Sequence, residues 1–488
     1  MSTEAGGYHF FVPEAPPHFS ESSLLRKRSL GAVKVVALFD TKQMLAESLR
    51  IDWAWACKNK IDMFIARHDI SSKDGDAAAA AAAVARVYSV LERHYGMVLS
   101  VFEYFASFAL SSGSLEVDLF TISMNEYLAF LDQCHLGVVG SLECEKAHLE
   151  QLFIAVDSGQ KIKEDFNSKR ALSRQEFLQV LVQIAVRRYV RPRKAGARPI
   201  HMSVADALLA LLSEHLPPYL DAAALQVSNE FRNAYLYVSE TDATLGFHEQ
   251  TLRNVFDVYA DTTHASATAL ASASLLGFDE YLTMCHHLEI IDHDFTMREA
   301  TLCFLWSKLR VANESDAKER RKMTNLRFED FLEAIVRIAT MKCVPTDEEV
   351  EEGGFDDGGQ MLLALRRVPA HDRAFRASRP AEWNMPLRQP IWRCVHHLIS
   401  FFVHVIEEQV HGSGAGGDLV LSRREVCTFK EHHSHKGIDE RGQEDADSKP
   451  KRGISHHLDR QATKHNLSTI GPSTAQSSRQ DRQRKPAY

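Results

Sequence analysis

An all-α fold built around a duplicated helical unit is what this sequence predicts, and three observations carry that reading. Residues recur at one constant offset of 154: Val101-Phe102 returns as Val255-Phe256, Glu126-Tyr127-Leu128 as Glu280-Tyr281-Leu282, Phe177-Leu178 as Phe331-Leu332, and Ile184-Ala185 as Ile338-Ala339. A register held across about 90 residues marks two copies of one folded unit. The best-patterned segments carry apolar residues at helical spacing: Phe177, Leu178, Leu181, Val182, Ala185 and Tyr189 share one face, and Phe331, Leu332, Ile335, Val336, Ala339 and Cys343 repeat it. Finally, seven alanines, Ala77 to Ala83, follow Asp76, which combines the strongest helix former with a favoured N-cap.

In chain order, residues 1–31 read as a flexible N-terminus, and 32–99 as a helical extension with Trp53, Trp55, Met63 and Phe64 as its core. The first repeat spans 100–190. Inter-repeat helices fill 191–253, one over 203–216 stopped by Pro217-Pro218 and a second from about Ala222 to Val238. The second repeat spans 254–344. An acidic, glycine-rich linker covers 345–388, because Thr346-Asp-Glu-Glu-Val-Glu-Glu-Gly-Gly lacks apolar spacing. Residues 389–411 form an apolar helix expected to dock on the second repeat. Arg393 and three histidines interrupt it, so it does not read as a membrane span. A disordered tail occupies 412–488, with a basic end that could meet an acidic surface.

Composition bounds the function. Hydrophobic content of 45% and charged content of 25% are those of a globular chain, and a net charge of −8 excludes a general nucleic-acid binder. The eight cysteines form no CxxC pair and read as small buried hydrophobes in a reducing compartment. The first twenty residues carry no charged stretch followed by an apolar run, which points to a cytoplasmic chain. Phosphate-loop, dinucleotide, hydrolase-elbow and zinc-protease motifs are absent. Cys285-His286-His287, Asp292-His293-Asp294 and His432-His433-Ser-His435 supply metal-type ligands at unspecific spacing.

Within each repeat an aliphatic-x-x-x-acid-aromatic sequence occurs twice: Ile122 to Tyr127, Leu172 to Phe177, Leu276 to Tyr281 and Leu326 to Phe331, with acids fifty apart at Glu126 and Glu176, then Glu280 and Asp330. This resembles the second half of an EF-hand, over roughly 100–190 and 254–344. The resemblance implies that each aliphatic residue pairs with its partner loop in a short ladder, and that each acid stands where the bidentate calcium ligand would be.

Counting back from those acids finds degenerate loops. Leu115, Val117 and Leu119 fill the first set of ligand positions, and Ala269, Ala271 and Ala273 the third. In the fourth they are Glu319, Arg321 and Met323. Only the second offers a calcium set, Asp165, Asn167, Ser173 and Glu176, with Lys169 and Arg170 opposing it. Ser173-x-x-Glu176 is equally a capping box. No cofactor is expected, and calcium at most weakly.

The leading expectation is a non-catalytic protein–protein interaction scaffold or adaptor. On the plain reading the stripes of Phe177, Leu181, Phe331 and Ile335 pack each repeat's own core; on the functional one they would line grooves for a partner's amphipathic helix or a cytoskeletal protein. The alternatives are a calcium sensor using the second loop, and an enzyme of unidentified type. The overall organisation is similar to multi-EF-hand proteins of flagellated and other single-celled eukaryotes, which implies a cytoskeletal or flagellar location.

Overall fold

A computed structural model describes residues 8–14, 17, 19–26, 28, 38–71, 76–108, 119–158, 170–191, 198–260, 274–412 and 420–433. It is an all-α protein in which two two-stranded ladders are the only sheets among the described residues. No described helix is long and apolar enough to cross a membrane.

Helices α1 (Lys42–Lys58), α2 (Ile61–His68) and α3 (Ala77–Ala106) lead into the first repeat. Asp76 caps α3 by accepting the N–H groups of Ala78 and Ala79 at 2.9 and 3.2 Å. The buried stripe of α1 and α2 is Leu45, Leu49, Asp52, Ala56, Ile61 and Ile65. Met63 lies 64% exposed, one turn-face away from its expected core position.

In the first repeat, β1 (Ile122–Ser123) opens α4 (Met124–Gln133), α5 (Lys146–Ser158) follows, and β2 (Ala171–Leu172) opens α6 (Arg174–Ala185). Ile122 pairs with Leu172, and the strands run antiparallel. After α7 (Val204–Leu209), the helix expected over 222–238 is broken. A 3₁₀ turn (Ala222–Leu225) ends at extended Gln226, whose carbonyl accepts the Ser100 hydroxyl at 3.1 Å, and α8 (Ser228–Phe231) starts afresh. That bond ties the break between the two pieces to α3.

Next come α9 (Ser239–Phe247) and α10 (Glu249–Tyr259), then the second repeat: β3 (Leu276–Gly277), α11 (Phe278–His287), α12 (Met297–Trp306), α13 (Ala317–Thr324), β4 (Asn325–Leu326) and α14 (Phe328–Met341). Leu276 pairs with Leu326, again antiparallel. Both expected aliphatic pairs therefore lie side by side, at buried positions.

Three boundary expectations are corrected. The 1–31 segment is not free where it is described: Leu24 and Leu25 are buried, Tyr8, Phe10 and Phe19 pack on the core, and Arg28 is a buried counter-ion. The 345–388 segment is no linker. It folds as α15 (Asp347–Gly353), α16 (Gly358–Arg366) and α17 (Pro369–Ala377). Its glycines serve close approach, since a Cβ on Gly359 would collide with the backbone of Ser400 and Phe401, and one on Gly358 with the ring of His397.

Those residues belong to α18 (Ile391–His411), which buries Ile391, Val395, Leu398, Phe402 and Ile406 against α14, α16 and α9. The docking helix is thus where the sequence placed it. The tail also begins ordered: α19, residues 423–433, buries Val426 and Phe429, and Lys430 Nζ donates to the Val258 carbonyl at 2.8 Å. Residues 434–488, including the basic end, lie outside the described residues.

Candidate functional site

The loop ends at the two ladders are the site the sequence singles out. Ser123 and Ser173 are N-caps of α4 and α6, in extended backbone at the end of β1 and just after β2. The acid three residues on turns back to the cap: Glu126 Oε2 accepts the Ser123 N–H at 2.8 Å, Glu176 Oε2 the Ser173 N–H at 2.7 Å, and Asp330 Oδ2 the Arg327 N–H at 3.1 Å. Each carboxylate satisfies a helix-end donor and lies at the positive end of the helix dipole. In the third instance Gly277 is the cap, and a Cβ there would collide with the Glu280 carboxylate, so the acid takes the same backward path.

Of the four residues expected to hold calcium, Asp165 and Asn167 lie outside the described residues. Ser173 and Glu176 are engaged with each other, and Glu176 is fully buried. In the fourth loop, positions counted as ligands fall inside α13, and Glu319 Oε2 accepts the Asn313 N–H at 2.6 Å. Side chains at i, i+2 and i+4 of a helix do not converge on one ion, so this stretch does not fit calcium.

One carboxylate–imidazole cluster has metal-like spacing among the described residues, Asp292, His293 and Asp294. Its two acids are already neutralised. Lys342 pairs with Asp292, Arg376 with Asp294, and Arg366 Nη2 lies 3.0 Å from Asp292. Burial raises both carboxyls. For Asp292 the hydrogen bond from Asp294 and the flanking cations outweigh burial and hold it well below the carboxylate range, while Asp294 stays raised. Three cations against two acids leave no attraction for a metal, and the cluster instead ties α16 and α17 to the second repeat.

The expected partner-groove residues are corrected outright. Phe177 and Phe331 are 0% exposed, as is Ile335, and Leu181 is 1% exposed. Phe177 packs on Phe102 and Phe130 with ring centroids 5.7 and 5.4 Å apart, and Phe331 on Phe256 at 5.5 Å. Helices of the same chain complete the cover, α1 and α7 over α6, and α18 over α14. The apolar stripe and its use as core were legible; which helices of the chain cover it was not.

Three charged arrangements went unread in the sequence. Glu333, on α14 and fully buried, accepts from Arg28 Nη1 at 2.6 Å, Arg232 Nε at 3.0 Å and Arg337 Nη2 at 2.6 Å. Arg28 also meets Asp330 at 2.9 Å, and Arg232 meets Asp40 at 3.2 Å, so three guanidinium groups face three carboxylates. Burial alone would raise the Glu333 carboxyl, but Arg232, Arg337 and Arg28 together bring it down to about 2.

The 307–314 segment of the second repeat is stitched to the first repeat and the chain before it. Arg310 holds Glu103 at 2.8 and 2.9 Å and Ser100 Oγ at 2.9 Å, while its N–H reaches Asp40 at 2.9 Å. Arg174 forks onto Asp52 at 2.7 and 2.9 Å and reaches Glu314 at 2.8 Å.

Lys308, in the same segment, is 6% exposed, and its amine makes no hydrogen bond among the described residues. The nitrogen lies 3.7 Å from the Phe304 ring centroid and 5.3 Å from that of Phe120. A cation–π contact of up to about 2 kcal/mol does not offset the several kcal/mol lost when an ammonium leaves water. Burial accordingly pushes the Lys308 amine well below the ordinary lysine range. A lysine followed by Leu309 and Arg310 gives no sequence signal of this, because Phe120 comes from the other repeat.

No protein-family description, curated protein or solved structure matches the chain.

Proposed function

We propose that the protein is a non-catalytic interaction scaffold built on two degenerate EF-hand pairs, and that it holds its lobes in one shape without calcium. The observation that carries this reading is the use of the ligand-position acids as helix caps: Glu126, Glu176 and Asp330 each accept the N–H of their own cap residue. The antiparallel pairings Ile122 with Leu172 and Leu276 with Leu326 support the EF-hand part. In that family such a ladder joins the two loops of a pair.

A sensor must expose an apolar groove when the ion binds. Here Phe177, Leu181, Phe331 and Ile335 are covered by helices of the same chain. A partner then meets the outer surface of a rigid body, and a cytoplasmic, cytoskeletal or flagellar setting rests on the resemblance in organisation alone.

Calorimetric titration of the full chain and of Glu176→Gln with CaCl₂ tests the proposal. The expected result is at most one weak, millimolar-range site with no change in helix signal, lost in Glu176→Gln. A submicromolar site, or two sites with a helical change, would establish the sensor reading instead.

A further inference from the structure

We propose that the surface shared by the end of α2 and the 198–202 segment docks on an anionic lipid bilayer. It adds a contact to the scaffold reading and does not depend on it. Met63 and Arg67 lie one turn apart on α2, both exposed. Met63, Ile70, Ile200 and Met202 are each at least 49% exposed. Apolar side chains standing singly in water need no explanation, whereas four brought together mark a contact surface.

Backbone bonds join these residues from two distant segments. The N–H groups of Ile70 and Ser71 both donate to the Met202 carbonyl, at 2.9 and 3.1 Å, and those of Ile200 and His201 to the Tyr189 carbonyl, at 2.9 and 3.0 Å. The buried Asp69 carboxylate accepts the Val204 N–H at 3.1 Å and fixes the same junction. The surface is thus already formed, with little ordering left to do on contact.

The partner class follows from the charges among the apolar groups. Lys60, Arg67 and Arg198 are exposed. Of the carboxylates on these elements and beside them, Asp69 is buried 3.7 Å from Arg86 and Glu143 pairs with Arg191 at 3.0 Å, which leaves half-buried Asp62 and exposed Asp206. The flanking sequence does not reverse the sign: Ser72 to Gly75 hold one Lys and one Asp, and the residues between Arg191 and Arg198 hold one Arg, one Lys and no acid. In a chain of net charge −8 this is a local excess of cations. An anionic leaflet attracts the cations, and the aliphatic side chains enter the boundary between headgroups and acyl chains. A nucleic acid would use the cations and leave the four aliphatic side chains in water.

The test is co-sedimentation of the full-length protein with vesicles of equimolar phosphatidylserine and phosphatidylcholine, and with phosphatidylcholine alone, at about 0.1 M salt. The mixed vesicles are expected to bind at least about tenfold more tightly. Each cation near an anionic surface is worth roughly fivefold, so Arg67→Gln with Arg198→Gln should weaken binding about 25-fold. Met63→Ser with Ile200→Ser and Met202→Ser leaves the charge unchanged and should weaken it at least about tenfold. The substituted side chains are all exposed, and melting curves check that both variants fold. No binding to the mixed vesicles would overturn the proposal, as would binding that survives both sets of substitutions through the basic residues after Ser448. Loss in the cation variant with none in the apolar one would assign the surface to an acidic polymer such as a nucleic acid and overturn it too.

Discussion

The two repeats share their apolar register but secure their last helix differently. At the offset of 154, Gln179 stands where Glu333 does, and Gln183 where Arg337 does. The first repeat thus has a buried neutral amide at the place where the second has a buried carboxylate with three arginines. Conversely, Arg174 in the first repeat, paired with Asp52 of α1, is replaced by Phe328 in the second. Shared aliphatic positions maintain the common framework. The divergent charged positions decide which extension each helix recruits: α1 through Asp52, and the N-terminal segment and α8 through Arg28 and Arg232.

The harshest test of that asymmetry is truncation after residue 385, which removes α18. Burial of each large apolar side chain is worth roughly 1.5 to 3 kcal/mol, and α18 buries Ile391, Val395, Leu398, Ile399, Phe401, Phe402, Val405 and Ile406. The loss rivals a domain's whole stability of about 5 to 15 kcal/mol. The second repeat should lose cooperative melting and bind a hydrophobic dye; an unchanged melting curve would show that α18 is dispensable to it.

Next in size, Glu333→Gln should destabilise by about 3 to 5 kcal/mol, because three buried guanidinium groups lose their common partner. Gln179→Ala in the first repeat removes no charge and should cost less, about 1 to 2 kcal/mol. Chemical denaturation of both variants makes the comparison, and equal losses would erase the distinction drawn between the repeats.

Removal of the caps should cost less and more evenly. Glu126→Ala, Glu176→Ala and Asp330→Ala each delete a carboxylate from a helix start, for about 0.5 to 2 kcal/mol. Asp330→Ala should be the largest of the three, since Asp330 also pairs with Arg28.

The remaining comparison is of pH dependence. Burial and the neighbouring His396 lower His248 to about 4, and burial with His433 and Lys430 does the same to His287. Folded pKa values below the unfolded 6.5 mean that the unfolded chain takes up protons first. Stability should fall as pH drops from about 6.5 to 4. The depressed Glu333 carboxyl acts lower: its contribution is intact above about 4.5 and disappears as pH falls towards about 2. His248→Gln should flatten the upper part of the profile and leave the lower part alone.

Legibility in the sequence followed local periodicity. The ladder partners and the α14 and α18 stripes were readable because apolar spacing is a property of one segment. Arg28 sits in a polar leader whose role is set by Glu333, and Gly358-Gly359 read as a linker because the α18 backbone they admit is not encoded beside them. The capping boxes were visible as Ser-x-x-Glu, whereas the burial of the Lys308 amine required Phe120 from a distant segment. What escaped was whatever depended on a partner far along the chain.

That distance has a consequence for how the chain is made. Arg28 and Glu333 are 305 residues apart. At a synthesis rate of about 5 to 20 residues per second, some 15 to 60 s pass between them. During that interval the Arg28 guanidinium lacks its Glu333 and Asp330 partners, so a segment made early settles only after a much later one is made. Nascent chains halted before residue 333 should leave Arg28 open to proteases that the finished protein resists.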